Sequence, residues 1–382
     1  MSPRRFDVII VGIGGMGSAT AYHLARRGKR VLGLERFDIP HEMGSSHGIT
    51  RVIRLVYSEH PSYVPLLRRA YELWEELEAR AGERLLYLTG CVDASPPGGT
   101  IFADARRAAD EHDLDYEVLT GAELRRRFPG FQFPADTMAL VQPRAGFLLP
   151  ERCIVAYVEG AQAEGAEIHA REPVVGWEVR GDLVHVRTAH ASYEAAALVV
   201  TAGAWAGYLV DALQGLVTAE RQVVAWFQPR RPELFAWTRC PVWQFDDPAG
   251  RYYGLPVFGV PGFKVGRYHH LEQRVDPDRV DREPNEADEA ILRSFTERYF
   301  PDAAGPTMAM KVCLFENSPD EHFIIGAHPE HLQVAFAAGL SGHGFKFAPV
   351  VGEILADLVE HGSTRHDISL FSLNRFQAAR RR

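Results

Sequence analysis

The sequence is short of lysine. Of its 42 basic residues only Lys29, Lys264, Lys311 and Lys346 are lysine, and the rest are arginine. Where arginine meets the general need for positive charge, a lysine in an apolar or glycine-rich setting is a candidate for chemistry of its own, because an ammonium is a compact point charge that can lose its proton and a guanidinium is not. Lys29, beside Gly28 on a loop, needs no such reading; Lys264 and Lys346 invite one. Cysteine is sparse too: Cys91, Cys153, Cys240 and Cys313 make no Cys-x-x-Cys pair, which speaks against a zinc site or a disulfide framework. Positive charge is not in excess, the net being −8, and no basic tract with interleaved aromatics occurs, so nucleic acid is not an expected partner. No apolar run is long enough to span a membrane. The first strand pattern begins at Phe6, which fits no signal peptide, and the expected location is the cytoplasm.

What is present is an ordinary globular composition, 46% hydrophobic and 24% charged over 382 residues, enough for about two domains. The chain is organised around its start. Phe6 to Val11 is a β-branched run, Gly12-Ile-Gly14-Gly-Met-Gly17 follows, and Ala19, Ala21, Tyr22 and Leu24 continue at helical spacing. The three glycines fit G-x-G-x-x-G: the first allows a tight turn, the second lets backbone approach a pyrophosphate, and the third lets helix pack on strand. The helix would present free N–H groups and a positive dipole end to phosphate. Glu35 closes a second strand, Val31 to Glu35, at about the spacing where an acid takes ribose hydroxyls. Strand, helix, second strand and acid agree on a dinucleotide but leave NAD and FAD open.

Further on, Arg36 to Tyr57, with Gly44-Ser45-Ser-His47-Gly-Ile-Thr50-Arg51-Val-Ile-Arg54, reads as a loop crossing a ligand. Pro61 to Ala81 has the spacing of an amphipathic helix, and a strand pair begins at Leu85 to Asp93. Helices are expected over Ile101 to Glu111, Gly121 to Arg127 and Glu151 to Glu164, and a strand pair over Val174 to Val186. Ala197 to Thr201 reads as a buried parallel strand ending in small residues at Gly203, which permits a ligand's approach at the sheet edge. Arg251 to His270 predicts two strands that carry Tyr253, Lys264, His269 and His270. Lys311 to Ile325 predicts strand, turn and strand around Cys313. Near the end, Gly339-Leu-Ser-Gly342-His343-Gly344-Phe-Lys346 follows a strand and opens a helix to Val359. A second glycine-rich turn at a helix start suits a cofactor ring that meets positive charge when reduced, which favours flavin.

With these pieces placed, the chain resembles the monomeric sarcosine oxidase and N-methyl amino acid oxidase family, nearly end to end. The motifs that carry the resemblance are Gly-Ser-x-His47-Gly-x-Thr50-Arg51-x-Ile-Arg54, Tyr253-Gly, Lys264-x-Gly, Cys313 followed by Pro-Asp-Glu-His-Phe-Ile-Ile, and Gly-x-Ser-Gly342-His343-Gly344-Phe-Lys346-Phe. The resemblance implies an α/β chain: a Rossmann-type FAD-binding domain (1–84, 150–218 and 316–382) with an inserted α+β substrate domain on a mainly antiparallel sheet (85–149 and 219–315). It implies FAD joined to Cys313 through an 8α thioether, with Gly12, Gly14, Gly17, Glu35, Arg36, Ser45, His47, Thr50, Arg51, Gly203, Gly342, Gly344 and Lys346 around the cofactor. Arg54 and Lys346 would hold a substrate carboxylate, and Tyr253 and His269 would border its amine. Lys264 would promote reoxidation by oxygen, completing a catalytic set of Lys264, Arg51, His269 and Tyr253. Three departures stand out: Ser46 precedes His47 where the family has a pair of histidines, Phe315 stands where a tyrosine can occur, and one extra residue after Lys264 leaves open whether Tyr268 or His269 takes the histidine's place.

The activity this implies is oxidation of sarcosine by oxygen and water to glycine, formaldehyde and hydrogen peroxide, without metal, membrane or obligate protein partner. Oxidation of a bulkier or cyclic secondary amino acid (N-methyltryptophan, proline or pipecolate) is the near alternative. A flavin dehydrogenase subunit that passes electrons to a partner protein is the alternative of another class.

Overall fold

The computed structural model describes residues 4–376. Along the chain, β1 (Arg4–Val11), α1 (Gly15–Arg26) and β2 (Val31–Leu34) form the opening unit, followed by β3 (Arg51–Arg54) and α2 (Val64–Ala81). Then come β4 (Leu86–Leu88), β5 (Cys91–Ser95), α3 (Ile101–Glu111), β6 (Glu117–Thr120), α4 (Gly121–Arg127), β7 (Met138–Gln142) and β8 (Ala145–Leu148). The middle holds α5 (Pro150–Ala163), β9 (Glu167–His169), β10 (Val174–Arg180), β11 (Leu183–Thr188), β12 (Ser192–Val200) and α6 (Ala206–Leu209). The last part holds β13 (Thr218–Phe227), β14 (Val242–Asp247), β15 (Gly250–Leu255), β16 (Phe263–Arg267), α7 (Glu286–Tyr299), β17 (Thr307–Asn317), β18 (Ile324–Ala327), β19 (Val334–Ala338) and α8 (Ala348–His361).

Two eight-stranded sheets carry the molecule. In the first, β1 lies parallel between β12 and β2, and β19 joins the carboxyl-terminal half of β12, also parallel. These strands are buried on both faces, with α1, α5 and α8 packed together against them, so they read as continuous Val, Ile and Leu runs rather than alternating ones. The carboxyl ends of β1, β2, β12 and β19 converge, which is where an open parallel sheet offers its crevice.

The second sheet runs β17-β13-β16-β15-β14-β5-β7-β6 and is antiparallel except where β14 meets β5. Its period of two separates an oily face from a polar one. Val92, Ala94, Trp243, Phe245, Tyr252, Phe263, Val265, Ala225 and Phe227 face a core shared with Leu292, Phe295 and Tyr299 of α7. Asp93, Gln244, Tyr253, Lys264, Gln222 and Cys313, the residues between, fall on the other face.

Two expectations change. Arg36 to Tyr57 is not wholly loop, since β3 pairs with β8 in a small third sheet with β4. The strands β4 and β5 do not pair with each other: β4 joins β8, and β5 lies between β14 and β7. Between His270 and Lys311, where the sequence reading names no element, lies α7, started by Asn285, whose side chain accepts from the N–H groups of Ala287 and Asp288 while Asp288 accepts from the N–H of Asn285. That reciprocal cap and the spacing of Leu292, Phe295, Thr296 and Tyr299 are sequence signals of a helix.

Candidate active site

One continuous cavity runs from the carboxyl edge of the first sheet to the polar face of the second. At the first end Gly12 adopts φ +91°, and a Cβ there would lie 2.5 Å from the carbonyl oxygen of Thr201, so only glycine closes this turn. A Cβ on Gly17 would lie 1.8 Å from the oxygen of Gly12; Gly17 therefore serves helix-on-strand packing and does not line the cavity. Gly12, Gly14, Glu35, Arg36 and Gly203 do line it. Glu35 is held by the N–H groups of Ile13 and Phe37 at 2.8 and 3.0 Å. Arg36 pairs with Asp278 and lies over the rings of Phe37 and Trp205.

Midway, Ser45 latches the loop to β17 by donating to the carbonyl of Leu314 at 2.6 Å, next to Cys313. Burial pushes the Cys313 thiol up, while Arg51, Lys264 and Arg282 pull it down. The turn 47–50 is gripped from two sides. Glu151 accepts from the N–H groups of Gly48 and Ile49, and Lys264 donates to the carbonyls of Gly48 and Thr50 at 2.7 and 2.8 Å. Ile49 accordingly sits at φ +72°, a conformation a β-branched residue keeps only where its surroundings impose it. Lys264, Thr50 and His47 are buried outside the cavity's lining. Lys264 is held well below the usual ammonium range by burial and then by Arg51. His47 is pushed down to about 3 by burial and by Arg51 and Lys264, and both its ring nitrogens lack a hydrogen-bond partner among the described residues.

The far end is cationic and aromatic. Arg51 donates to the carbonyls of Thr50 and Ser45 and, among the described residues, has no acidic partner within ion-pair distance. Lys346 donates to the carbonyl of His343 at 2.8 Å, and burial followed by the Arg54 charge brings it down to about 7. Arg54, 2% exposed, is closed onto Glu59 by two 2.7 Å bonds from Nη2 and lies 4.4 Å from the centre of the Tyr57 ring. Burial pushes Glu59 up, but Arg54, then His343 and Lys346, outweigh it and keep the carboxylate charged. Tyr253, Tyr268 and Phe315 form the wall; Gly266 makes room for Tyr253, whose Cζ would lie 2.5 Å from a Cβ there. Gly342 and Gly344 line the cavity beside Lys346, and a Cβ on Gly342 would meet the Phe315 ring at 2.3 Å.

His269 also lies outside the cavity's lining. Its ring is held between Glu220 at 2.9 Å and Glu321 at 3.1 Å, those two carboxylates raise it to about 10, and it does not line the cavity. Tyr268 lines it instead. Just past the end of β16 His269 turns through φ +51° and its side chain leaves the wall.

Sequence reasoning also missed Glu59, Asp93, Gln142, Glu151, Gln244 and Glu316. Glu316 is a buried cavity residue whose Oε2 has no partner, and burial lifts it to about 8 against the pull of the Leu340 and Gly339 N–H groups.

A dinucleotide cradle opening into a cationic, aromatic pocket decides between the two cofactors left open, once joined to the sequence comparison: the family described as FAD dependent oxidoreductase (DAO) matches residues 7–358. The chain belongs to this family. It is 44% identical over 375 residues to a monomeric sarcosine oxidase of Bacillus sp. (strain NS-129), covering 97% of each chain. It is 34% identical over 376 residues to an N-methyl-L-tryptophan oxidase of Yersinia pestis (strain Pestoides F), covering 97% of this chain and all of that one. Among solved structures, NikD, an unusual amino acid oxidase essential for nikkomycin biosynthesis, superposes with a TM-score of 0.84 at 26% identity over 97% of each chain.

The residues of this family member fit FAD. The Gly12 turn and Glu35 suit a pyrophosphate and a ribose, the cavity continues without a break to Cys313, and Oε2 of Glu316, which lines it and has no hydrogen-bond partner among the described residues, leaves polar capacity on the path. No helix among the described residues is long and apolar enough to cross a membrane, and no group of three or more metal-ligating side chains is found there.

Proposed function

We propose that the protein is an FAD-dependent oxidase of secondary N-methyl amino acids, with sarcosine converted by oxygen and water to glycine, formaldehyde and hydrogen peroxide. The observation that carries this reading is the convergence of Arg54, Lys346 and Arg51 on the aromatic-walled end of a cavity that starts at a dinucleotide cradle. A small carboxylate suits an arginine fork plus a point charge. Since Glu59 occupies that fork, the substrate carboxylate enters by exchange for it. The same cations disfavour a charged ammonium beside them, so the bound amine loses its proton more readily. Tyr253, Tyr268 and Phe315 seat the N-methyl group and exclude water.

FAD, when bound, supplies the electron acceptor that amino-acid side chains lack. The unit made by the first sheet would hold its nucleotide, and the second sheet would present substrate. Cys313 would carry it covalently through sulfur, and Lys264, a buried lysine with no acidic partner among the described residues, would, when protonated, favour the charge that develops when oxygen is reduced. Electrons then leave to oxygen rather than to a partner protein.

The test is the visible spectrum of the purified protein without oxygen, before and after sarcosine. A yellow protein that bleaches and recovers its colour in air supports the oxidase; a flavin band untouched by sarcosine and by bulkier N-methyl amino acids sinks it. Acid precipitation reports on Cys313: yellow in the pellet for the wild type and in the supernatant for Cys313→Ser.

A further inference from the structure

On the polar face of the second sheet Gln244 is left unused by this chemistry, and hydrogen bonds through Gln142 and Asp93 set which way it points as long as Asp93 is a carboxylate, a state that burial opposes and the Arg54 charge favours. The N–H groups of Leu55 and Val56 both donate to Oε1 of Gln142, at 3.0 and 2.9 Å. Because a backbone N–H cannot accept, Gln142 has one possible orientation, with its Nε2 donating to Oδ2 of Asp93 at 2.8 Å. Asp93, wholly buried on β5, acts as an acceptor there, and its Oδ1 accepts from Nε2 of Gln244 at 2.8 Å. Gln244 stands on β14 between Asp93 and Tyr253 in register.

With its amide pinned through Nε2, Gln244 turns Oε1 away from Asp93. That oxygen accepts no hydrogen bond from the described residues and is not among the side-chain atoms sealed from the cavity, which Gln244 lines beside Tyr253 and Tyr268. The site therefore offers an acceptor of fixed position on a wall that is otherwise aromatic. An apolar group pressed against it leaves the oxygen without a partner, which costs more than the bond itself gains.

We infer that Gln244 is a specificity-determining residue whose Oε1 accepts a hydrogen bond from the substrate's side chain, so that the enzyme prefers N-methyl amino acids bearing a hydroxyl or N–H donor over apolar ones of the same size. The inference rests on the secondary-amine oxidase reading and narrows its substrate class. Asp93 and Gln142 keep the acceptor aimed, and Arg54 and Lys346 hold the carboxylate from which the side chain extends.

The experiment compares kcat/KM of the holoenzyme for N-methylserine and N-methyl-2-aminobutyrate, which differ by a hydroxyl in place of a methyl, with sarcosine as reference. In the wild type N-methylserine is favoured by about tenfold or more, and Gln244→Met brings that ratio to about one. The inference is overturned if the ratio is the same in both proteins. It is also overturned if all three substrates lose equally in the variant, which would make the amine N–H the donor. If none of the three bleaches the wild-type flavin, the oxidase reading falls and takes the inference with it, whereas bleaching without discrimination refutes the inference alone. A measurement on wild type needs no variant: 3-hydroxypropanoate and butanoate compete with sarcosine as non-reactive carboxylates, with the hydroxy acid expected to bind more tightly and equal or reversed inhibition refuting the acceptor.

Discussion

The two ends of the cavity are built from different materials. At the nucleotide end the decisive features are backbone: a turn that only glycine closes at Gly12, a helix brought against it because Gly17 has no Cβ, and Glu35 fixed by two backbone N–H groups. At the substrate end they are side chains from three regions far apart in sequence, with Arg54 on β3, Gln244 and Tyr253 on the adjoining β14 and β15, and Lys346 at the turn before α8. A backbone site tolerates almost no added atom, whereas a side-chain site tolerates exchange and so can change its substrate while the fold stays. The two ends should accordingly fail in different ways.

The largest effect belongs to the backbone end. Gly17→Val would drive a side chain into the oxygen of Gly12, 1.8 Å from the ideal Cβ, and flavin bound per protein should fall to near zero; full flavin content in this variant would break the comparison. Arg54→Met comes next. It should keep its flavin but raise KM by about a hundredfold or more, about 3 kcal/mol, since Glu59 is left buried without its counter-charge; an unchanged KM refutes the carboxylate role.

A pH profile sharpens the contrast further. Lys346, brought down to about 7, is charged below that value and neutral above it, so affinity for a carboxylate should weaken as pH rises through 7. Lys346→Arg should lose that limb of the KM profile, because a guanidinium stays charged. The smallest effect is expected at His269, where His269→Asn should leave KM within about twofold, in contrast to Tyr268→Leu. The pair with Glu220 and Glu321 raises His269 from 6.5 to about 10, so its contribution to stability is complete below 6.5 and disappears as pH rises toward 10. At this half-exposed site that contribution is about 0.2–1 kcal/mol, readable as a Tm difference between wild type and variant at pH 6 that vanishes at pH 10.

How much could be read in advance follows the same division. The cradle was legible because glycine spacing, a β-branched strand and a terminal acid are local features, and the strand pair expected over Val174 to Val186 forms as Val174–Arg180 and Leu183–Thr188. The helix Glu286–Tyr299 was hidden inside a strand-rich stretch, although Asn285 and Asp288 announce it. Arg54 and Lys346 could be named as cations for a carboxylate, but not Glu59, which holds Arg54 in the free protein, nor the choice of Tyr268 over His269.

The sequence by itself determined the first-sheet cradle, the polar and oily alternation of the second sheet, and the family, because each is written in residues close together along the chain. Only the tertiary structure decided which side chains face the substrate. Strand register puts Asp93 beside Gln244 of the distant β14–β15 hairpin, and one left-handed residue at His269 swings its ring out of the wall. Register and turn handedness arise from pairing and packing between distant segments, and no local stretch of sequence contains both partners.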